Sequence, residues 1–175
     1  MLLTTARESE VADVAVGEVD LEEGLWRISS HRTKNKQPIT LPLHPALIDD
    51  LRAVWPKHEA GGRWRLLGQI AGNGLRGYSK LKRRVDTLSG IDGWRWHDLR
   101  RTARTGLSKL GVSRDIAEAC LNHISGRSGL VRVYDRHDYA EEVIAALTRW
   151  QNYVIALAAK PPSAEIVPMR RPRLA

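Results

Sequence analysis

The chain has 175 residues, with 28 Lys+Arg against 20 Asp+Glu for a formal charge of +8, and one cysteine. That length holds one domain with a real hydrophobic core. Apolar residues at 42% and charged residues at 27% exclude a disordered, collagenous or disulfide-stapled chain, and no run reaches the roughly 18 apolar residues of a spanning helix. The opening residues lack a secretory leader, so a cytoplasmic protein with no membrane partner is expected, its lone Cys120 reduced. A pI near 10.1 lies above the value of about 9 that marks many nucleic-acid-binding domains.

The charge is unevenly spread. Near the start Arg7 stands against Glu8, Glu10, Asp13, Glu18, Asp20, Glu22 and Glu23, whereas Lys80, Lys82, Arg83, Arg84, Arg100, Arg101 and Arg104 crowd one later stretch. Such a cluster is either a solvated helix face or a polyanion site.

In chain order, Thr5 followed three residues later by Glu8 fits a capping box and predicts a helix over about 6–16. Leu25–Ile28 and Ile39–Leu43 alternate apolar and polar residues around the polar Thr33–Gln37, which predicts a hairpin with Lys34 near its tip. Pro42 has no N–H for a ladder, so its strand should lie at an edge or be irregular. Pro45 opens a helix to about Trp55, ended by Pro56. Residues 56–76 are glycine-rich and read as loops around a short strand at Trp64–Leu67.

A helix over about 78–88 carries much of the basic cluster. The next begins near Asp98, with Leu99, Ala103, Leu107 and Leu110 at helical period, and stops at Gly111. Ser113 caps a short helix through Leu121. From Ala140 to Ala158, Val143, Leu147, Trp150, Val154 and Leu157 form a core-facing stripe. This organisation predicts a mainly helical α+β domain over 1–159, with a small antiparallel sheet on one edge, followed by a basic, proline-containing tail over 160–175.

The strongest local signal is His97-Asp98-Leu99-Arg100-Arg101-Thr102 at a helix start. His97 and Arg100 share a face there, and the helix dipole adds positive potential. That surface suits a phosphate. With Thr5–Glu10, Arg32–Asn35, Leu121–His123 and Val133–Arg136, in that order, the chain resembles the catalytic domain of the tyrosine recombinases, the phage integrase family, over about residues 1–158.

The resemblance implies site-specific DNA cleavage and rejoining on duplex DNA by four protomers acting on two duplexes, without metal, nucleotide or other cofactor. It assigns Arg7 and Arg100 to a phosphate clamp, His123 to a further hydrogen bond on that phosphate, and Glu10 to supporting Arg7. Tyr134 would attack phosphorus, Lys34 would protonate the departing 5′ oxygen, and His97 would assist proton transfer at the tyrosine. Arginine forks suit the task because they pair bidentately with phosphate oxygens. Lys80, Lys82, Arg83, Arg84 and Arg101 are the candidate DNA-backbone contacts.

Lys36 is an alternative proton donor and Tyr139 an alternative nucleophile. Trp94 and Trp96 are expected to pack beneath the site rather than stack on bases. The arginine motif departs from the family pattern at Thr5, where glycine is usual, and at Glu8, where a basic or neutral residue is common. Family members also carry a helical DNA-binding domain before the first arginine, which only six residues precede here. Two other readings share these residues: a silent remnant that binds DNA or a partner recombinase, and a type IB topoisomerase.

Overall fold

The structure, a computed structural model, describes residues 1–56, 65–67, 74–123 and 139–159. The expectations placed on Trp64, on Tyr134 and on the tail over 160–175 lie outside them.

The chain opens with a single helical turn, α1 (Glu8–Ala12), capped by Arg7. The helix expected over 6–16 is therefore shorter, and Thr5 is not its cap. Thr5 instead adopts φ +56°, with its hydroxyl donating to the Cys120 carbonyl at 2.5 Å. The Glu10 carboxylate takes the Arg7 N–H at 2.6 Å and supplies the reciprocal cap. After α1 the chain makes a 3-10 turn at Val16–Glu18. Ala15 meets Arg65 in an isolated antiparallel bridge, and residues 66–67, expected to continue a short strand there, form a bend instead.

A three-stranded antiparallel sheet follows in the order β1 (Val19–Asp20), β2 (Leu25–Ile28), β3 (Ile39–Pro42). The hairpin is the expected one, with Leu25 opposite Pro42 and Ile28 opposite Ile39. β1 is a two-residue strand too short to show a period. Pro42 does lie on an edge strand. Helix α2 (Pro45–Val54) follows, its first turn capped by the His44 ring, which accepts the Ala46 N–H at 3.1 Å.

Helix α3 (Tyr78–Ser89) runs between two left-handed glycines, Gly77 and Gly90. Helix α4 (Trp96–Lys109) starts two residues before Asp98, because the Asp98 carboxylate reaches back to the Arg95 N–H at 2.9 Å and makes Arg95 the cap. It ends as expected: Gly111 takes φ +77°, and the Val112 N–H returns to the Leu107 carbonyl at 3.0 Å. Ser113 caps α5 (Arg114–Cys120), and α6 (Ala140–Ala159) closes the described chain.

The core lies where α4, α5 and α6 pack together and α6 crosses β3. Leu107 and Leu147 are fully buried there with Trp150, Ile28 and Leu41, each worth roughly 1.5–3 kcal/mol of transfer free energy. The Gln151 amide, also buried, donates to the Pro42 carbonyl at 2.7 Å, so α6 satisfies the edge strand as well as covering it. The α6 stripe holds through Trp150 and partly at Val154, but Leu157 is 50% exposed, since the helix outruns the body it packs on. No described helix is long and apolar enough to cross a membrane.

Candidate active site

Four separate segments meet at one end of α5. They are the turn leading into α1, the hairpin tip, the first turns of α4, and Leu121–His123 just past α5. What joins them is a set of backbone carbonyls on which side chains from distant segments converge.

Arg100 faces inward from the second turn of α4 and is 3% exposed. One terminal nitrogen donates to the Thr5 carbonyl and the other to the Leu121 carbonyl at 2.9 Å. Among the described residues its Nε is buried without a partner, and no carboxylate is bonded to its guanidinium. Burial, and then the positive charge of Arg7, push its pKa down to about 10. A buried guanidinium without an ion-pair partner is costly to desolvate, and an anion reaching its remaining donor offsets that cost.

Arg7 is half-buried. Its guanidinium pairs with Glu10 at 3.0 Å and donates to the Asn122 carbonyl at 3.3 Å. Glu10 is itself buried and takes the Arg7 N–H as well, so it holds the residue at both backbone and side chain. The two arginines thus hang on consecutive carbonyls, Arg100 on Leu121 and Arg7 on Asn122, close enough for the charge of one to act on the other.

His123 lies next in sequence. Its Nδ1 sits 2.9 Å from Glu118, which also takes Arg104 Nε at 2.8 Å. Burial acts to raise the Glu118 pKa, but the hydrogen bonds from Arg104 and His123 outweigh it and hold the carboxyl below its usual value. That contact turns Nε2 of His123 away from Glu118. His97 is exposed on the first turn of α4, three positions from Arg100.

The hairpin tip is drawn to the same place. The Asn35 amide donates to the Asn122 carbonyl at 2.6 Å and to its side-chain oxygen at 2.8 Å. The Asn122 amide returns a bond to the Gln37 carbonyl at 3.1 Å. Lys34 and Lys36, on either side of Asn35, are both exposed. The root of the hairpin is held by Arg32, which pairs with Glu18 at 2.7 Å and donates to the Glu10 carbonyl at 3.1 Å.

Of the expected site residues, the structure therefore gathers Arg7, Glu10, Arg100 and His123, with the Lys34 loop fastened beside them. Tyr134 lies outside the described residues. Its alternative, Tyr139, packs against the hydrophobic core at the start of α6.

The candidate DNA-backbone residues divide. Lys80, Arg83 and Arg84 are exposed on α3, and Arg101 is exposed on α4 with Asp98 at 3.3 Å. Lys82 is turned inward. It pairs with Asp86 at 2.6 Å and sits 4.2 Å above the Trp94 ring. Trp94 meets Trp96 edge-on at 5.1 Å, and Trp96 meets Tyr78 at 5.8 Å. These rings join α3 to the start of α4, consistent with packing rather than base stacking. The Tyr78 hydroxyl donates to the Glu8 carbonyl at 3.0 Å. Burial, followed by Glu8 and Asp13, pushes its pKa up to about 12.

Sequence reasoning assigned no role to Asn35, Asn122, Glu118 or Arg104. Asn35 and Asn122 sit inside the segments that carried the family resemblance, and their polar side chains at a loop tip and a helix end were the available signal. Nothing local marks Glu118 as the partner of His123 and Arg104.

The described domain is thus mainly helical, with a three-stranded sheet at one edge and two arginines fastened to carbonyls at the end of α5. The model of the phage integrase family matches residues 1–141, and the chain belongs to that family, the tyrosine recombinases. It is 30% identical over 161 residues to the prophage integrase IntA of Escherichia coli K12, covering 89% of this chain and 37% of that protein. Its fold is similar to that of an integrase from mycobacterium phage Brujita, with a TM-score of 0.57 and 23% identity over 81% of this chain and 47% of the other. The chain thus spans less than half the length of each of these two relatives.

Proposed function

We propose that the chain is the catalytic domain of a site-specific recombinase that cleaves and rejoins duplex DNA in the cytoplasm through a 3′-phosphotyrosyl intermediate. The observation that carries this reading is the pairing of Arg7 and Arg100, two guanidiniums from distant segments fastened to the consecutive Asn122 and Leu121 carbonyls, with no carboxylate among the described residues bonded to Arg100.

A phosphodiester gains negative charge as an oxygen attacks it, so cations fixed on the non-bridging oxygens lower the barrier. Arg7 and Arg100 take that part, with His123 donating from the nitrogen opposite its Glu118 contact. The Tyr134 oxygen bonds to phosphorus while its proton passes toward His97. The P–O5′ bond breaks, and Lys34 gives the departing oxygen a proton. Rejoining reverses each transfer. One phosphoester replaces another, so the exchange balances without an energy-supplying cofactor. Lys80, Arg83, Arg84 and Arg101 would track the DNA backbone, and four protomers would assemble on two duplexes.

The test uses a nicked duplex carrying the attachment site of the element that encodes the chain. The short 5′-hydroxyl fragment beyond the nick diffuses away and traps the covalent adduct. A protein band shifted by the mass of the DNA, stable to denaturant and lost in Tyr134→Phe, is the expected result. Arg100→Ala should lower trapping by about 10²-fold, the scale of one lost oxyanion donor. Adduct that survives Tyr134→Phe but disappears in Tyr139→Phe would reassign the nucleophile. Duplex binding with no adduct in any variant would favour a domain that binds DNA without cleaving it.

A further inference from the structure

We propose that Asn35 and Asn122 are positioning residues: their side chains form a clasp that holds the hairpin tip, and with it Lys34, in register with the arginine pair. The inference rests on reading Lys34 as the acid that protonates the 5′ leaving oxygen.

The tip is internally ordered. The Thr33 hydroxyl donates to the Gln37 carbonyl at 2.8 Å, the Lys36 N–H to the Thr33 carbonyl at 3.3 Å, and the Gln37 N–H to the Asn35 side-chain oxygen at 3.2 Å. Those bonds shape the loop but do not say where it points. Apart from the Thr33 hydroxyl's local bond to the Ser30 carbonyl at 3.1 Å, the hydrogen bonds among the described residues that tie residues 33–37 to the rest of the protein go to Asn122, 87 and 85 positions away in the chain. Arg32 fastens only the root.

Asn122 is suited to this because of its backbone. At φ +49° it is in the left-handed region, which asparagine tolerates better than most residues. There its carbonyl accepts from both Arg7 and Asn35. One oxygen thereby joins the phosphate clamp to the loop that carries the proton donor. The side-chain amide completes a second bridge, to Gln37. Lys34 is the neighbour of Asn35 in the chain and has its own side chain in solvent, so its reach is set by where Asn35 is pinned. A proton donor misplaced by about 1 Å loses on the order of 10²-fold in rate.

The experiment compares two nicked substrates, one with the natural 5′ oxygen and one with a bridging 5′ sulfur at the scissile phosphate. A thiolate leaves without being protonated, so a defect confined to the acid disappears on the sulfur substrate. Asn35→Ala and Asn122→Gly, the latter keeping a residue at ease in the left-handed region, should slow adduct formation about 10- to 100-fold on oxygen. Both should return to near the wild-type rate on sulfur, as should Lys34→Ala.

Equal slowing on both substrates, or none on oxygen, would overturn the proposal while leaving the Lys34 assignment standing. Rescue by sulfur in Lys36→Ala but not in Lys34→Ala would overturn both. Limited trypsin digestion gives a readout independent of cleavage. Cutting after Lys34 and Lys36 should accelerate in both variants while other sites keep their rates, and unchanged cutting there would overturn the clasp. If the wild-type chain forms no adduct, the strand-cleavage reading fails, and the tryptic rates still decide whether the clasp holds the tip.

Discussion

Thr5 shows how a single residue can oppose its own backbone preference. A β-branched side chain at φ +56° is held about 1–2 kcal/mol above its relaxed state, and the usual family choice of glycine would avoid that cost. The compensation is the hydroxyl's bond to the Cys120 carbonyl, together with the carbonyl that Thr5 presents to Arg100. A hydrogen bond of this kind contributes about 1 kcal/mol net. Thr5→Ala keeps the strained backbone and loses the bond, whereas Thr5→Gly loses the bond but relieves the strain. Urea denaturation should therefore rank Thr5→Ala below Thr5→Gly by about 1 kcal/mol. Equal stabilities would show that the backbone at Thr5 is not strained in solution.

At the scale of elements, the junction of α4 with α6 depends on a missing side chain. A Cβ at Gly106 would come within 2.0 Å of the Trp150 ring, a ring that also donates to the Leu2 carbonyl at 2.8 Å and so is held on its far side. Alanine is the better helix former by about 1 kcal/mol, yet overpacking of this kind costs about 1–3 kcal/mol. Gly106→Ala should accordingly lower the urea midpoint with an unchanged m-value; a higher midpoint would mean that α6 can shift away freely.

Helix α3 poses a different question, because its basic residues do not all face one way. Arg83 and Arg84 are exposed, while Lys82 is held between Asp86 and Trp94. Arg83→Glu with Arg84→Glu should weaken binding to non-specific duplex and flatten the plot of log affinity against log salt by up to about 2. Lys82→Gln should leave that slope within error of wild type and lower thermal stability instead. If Lys82→Gln changes the slope as much as the double variant, the side chain swings out to DNA and the packed arrangement is not the binding-competent one.

For the molecule as a whole, the balance of charge decides what the domain is ready to receive. Arg100 is a buried cation with no carboxylate bonded to it among the described residues, and burial, then the charge of Arg7, push its pKa down to about 10. The folded protein thus holds Arg100 in an environment that disfavours its charged form, and an anion bound at the Arg7–Arg100 pair would relieve this. At matched ionic strength, inorganic phosphate should raise the melting temperature above that in chloride, by the equivalent of about 1.4 kcal/mol once phosphate reaches tenfold its Kd. Arg7→Gln and Arg100→Gln should each abolish the increment, whatever they do to the baseline. An increment that persists in both variants would place the anion elsewhere.

Much of this architecture was legible in the sequence because its causes are local. The β2–β3 hairpin, the stop at Gly111, the Ser113 cap and the α6 stripe through Trp150 each depend on residues within a turn or two of one another. The candidate site was legible as motifs, and Arg7, Glu10, Arg100 and His123 do come together. Other features had no local cause to read. Thr5 was expected to cap a helix, but its role is set by Cys120, 115 positions away. Lys82 carries the same charge as Arg83 and is distinguished only by the Trp94 ring that α4 brings over it. Asn122 became the node between clamp and hairpin because α5 ends where α1 begins and the hairpin tip arrives. Sequence by itself determined the family, the elements and the charged groups available for phosphate. Only tertiary structure decided which of those groups are buried, which carbonyls hold them and which lie free on the surface, since burial and hydrogen bonding depend on neighbours that are far apart in the chain.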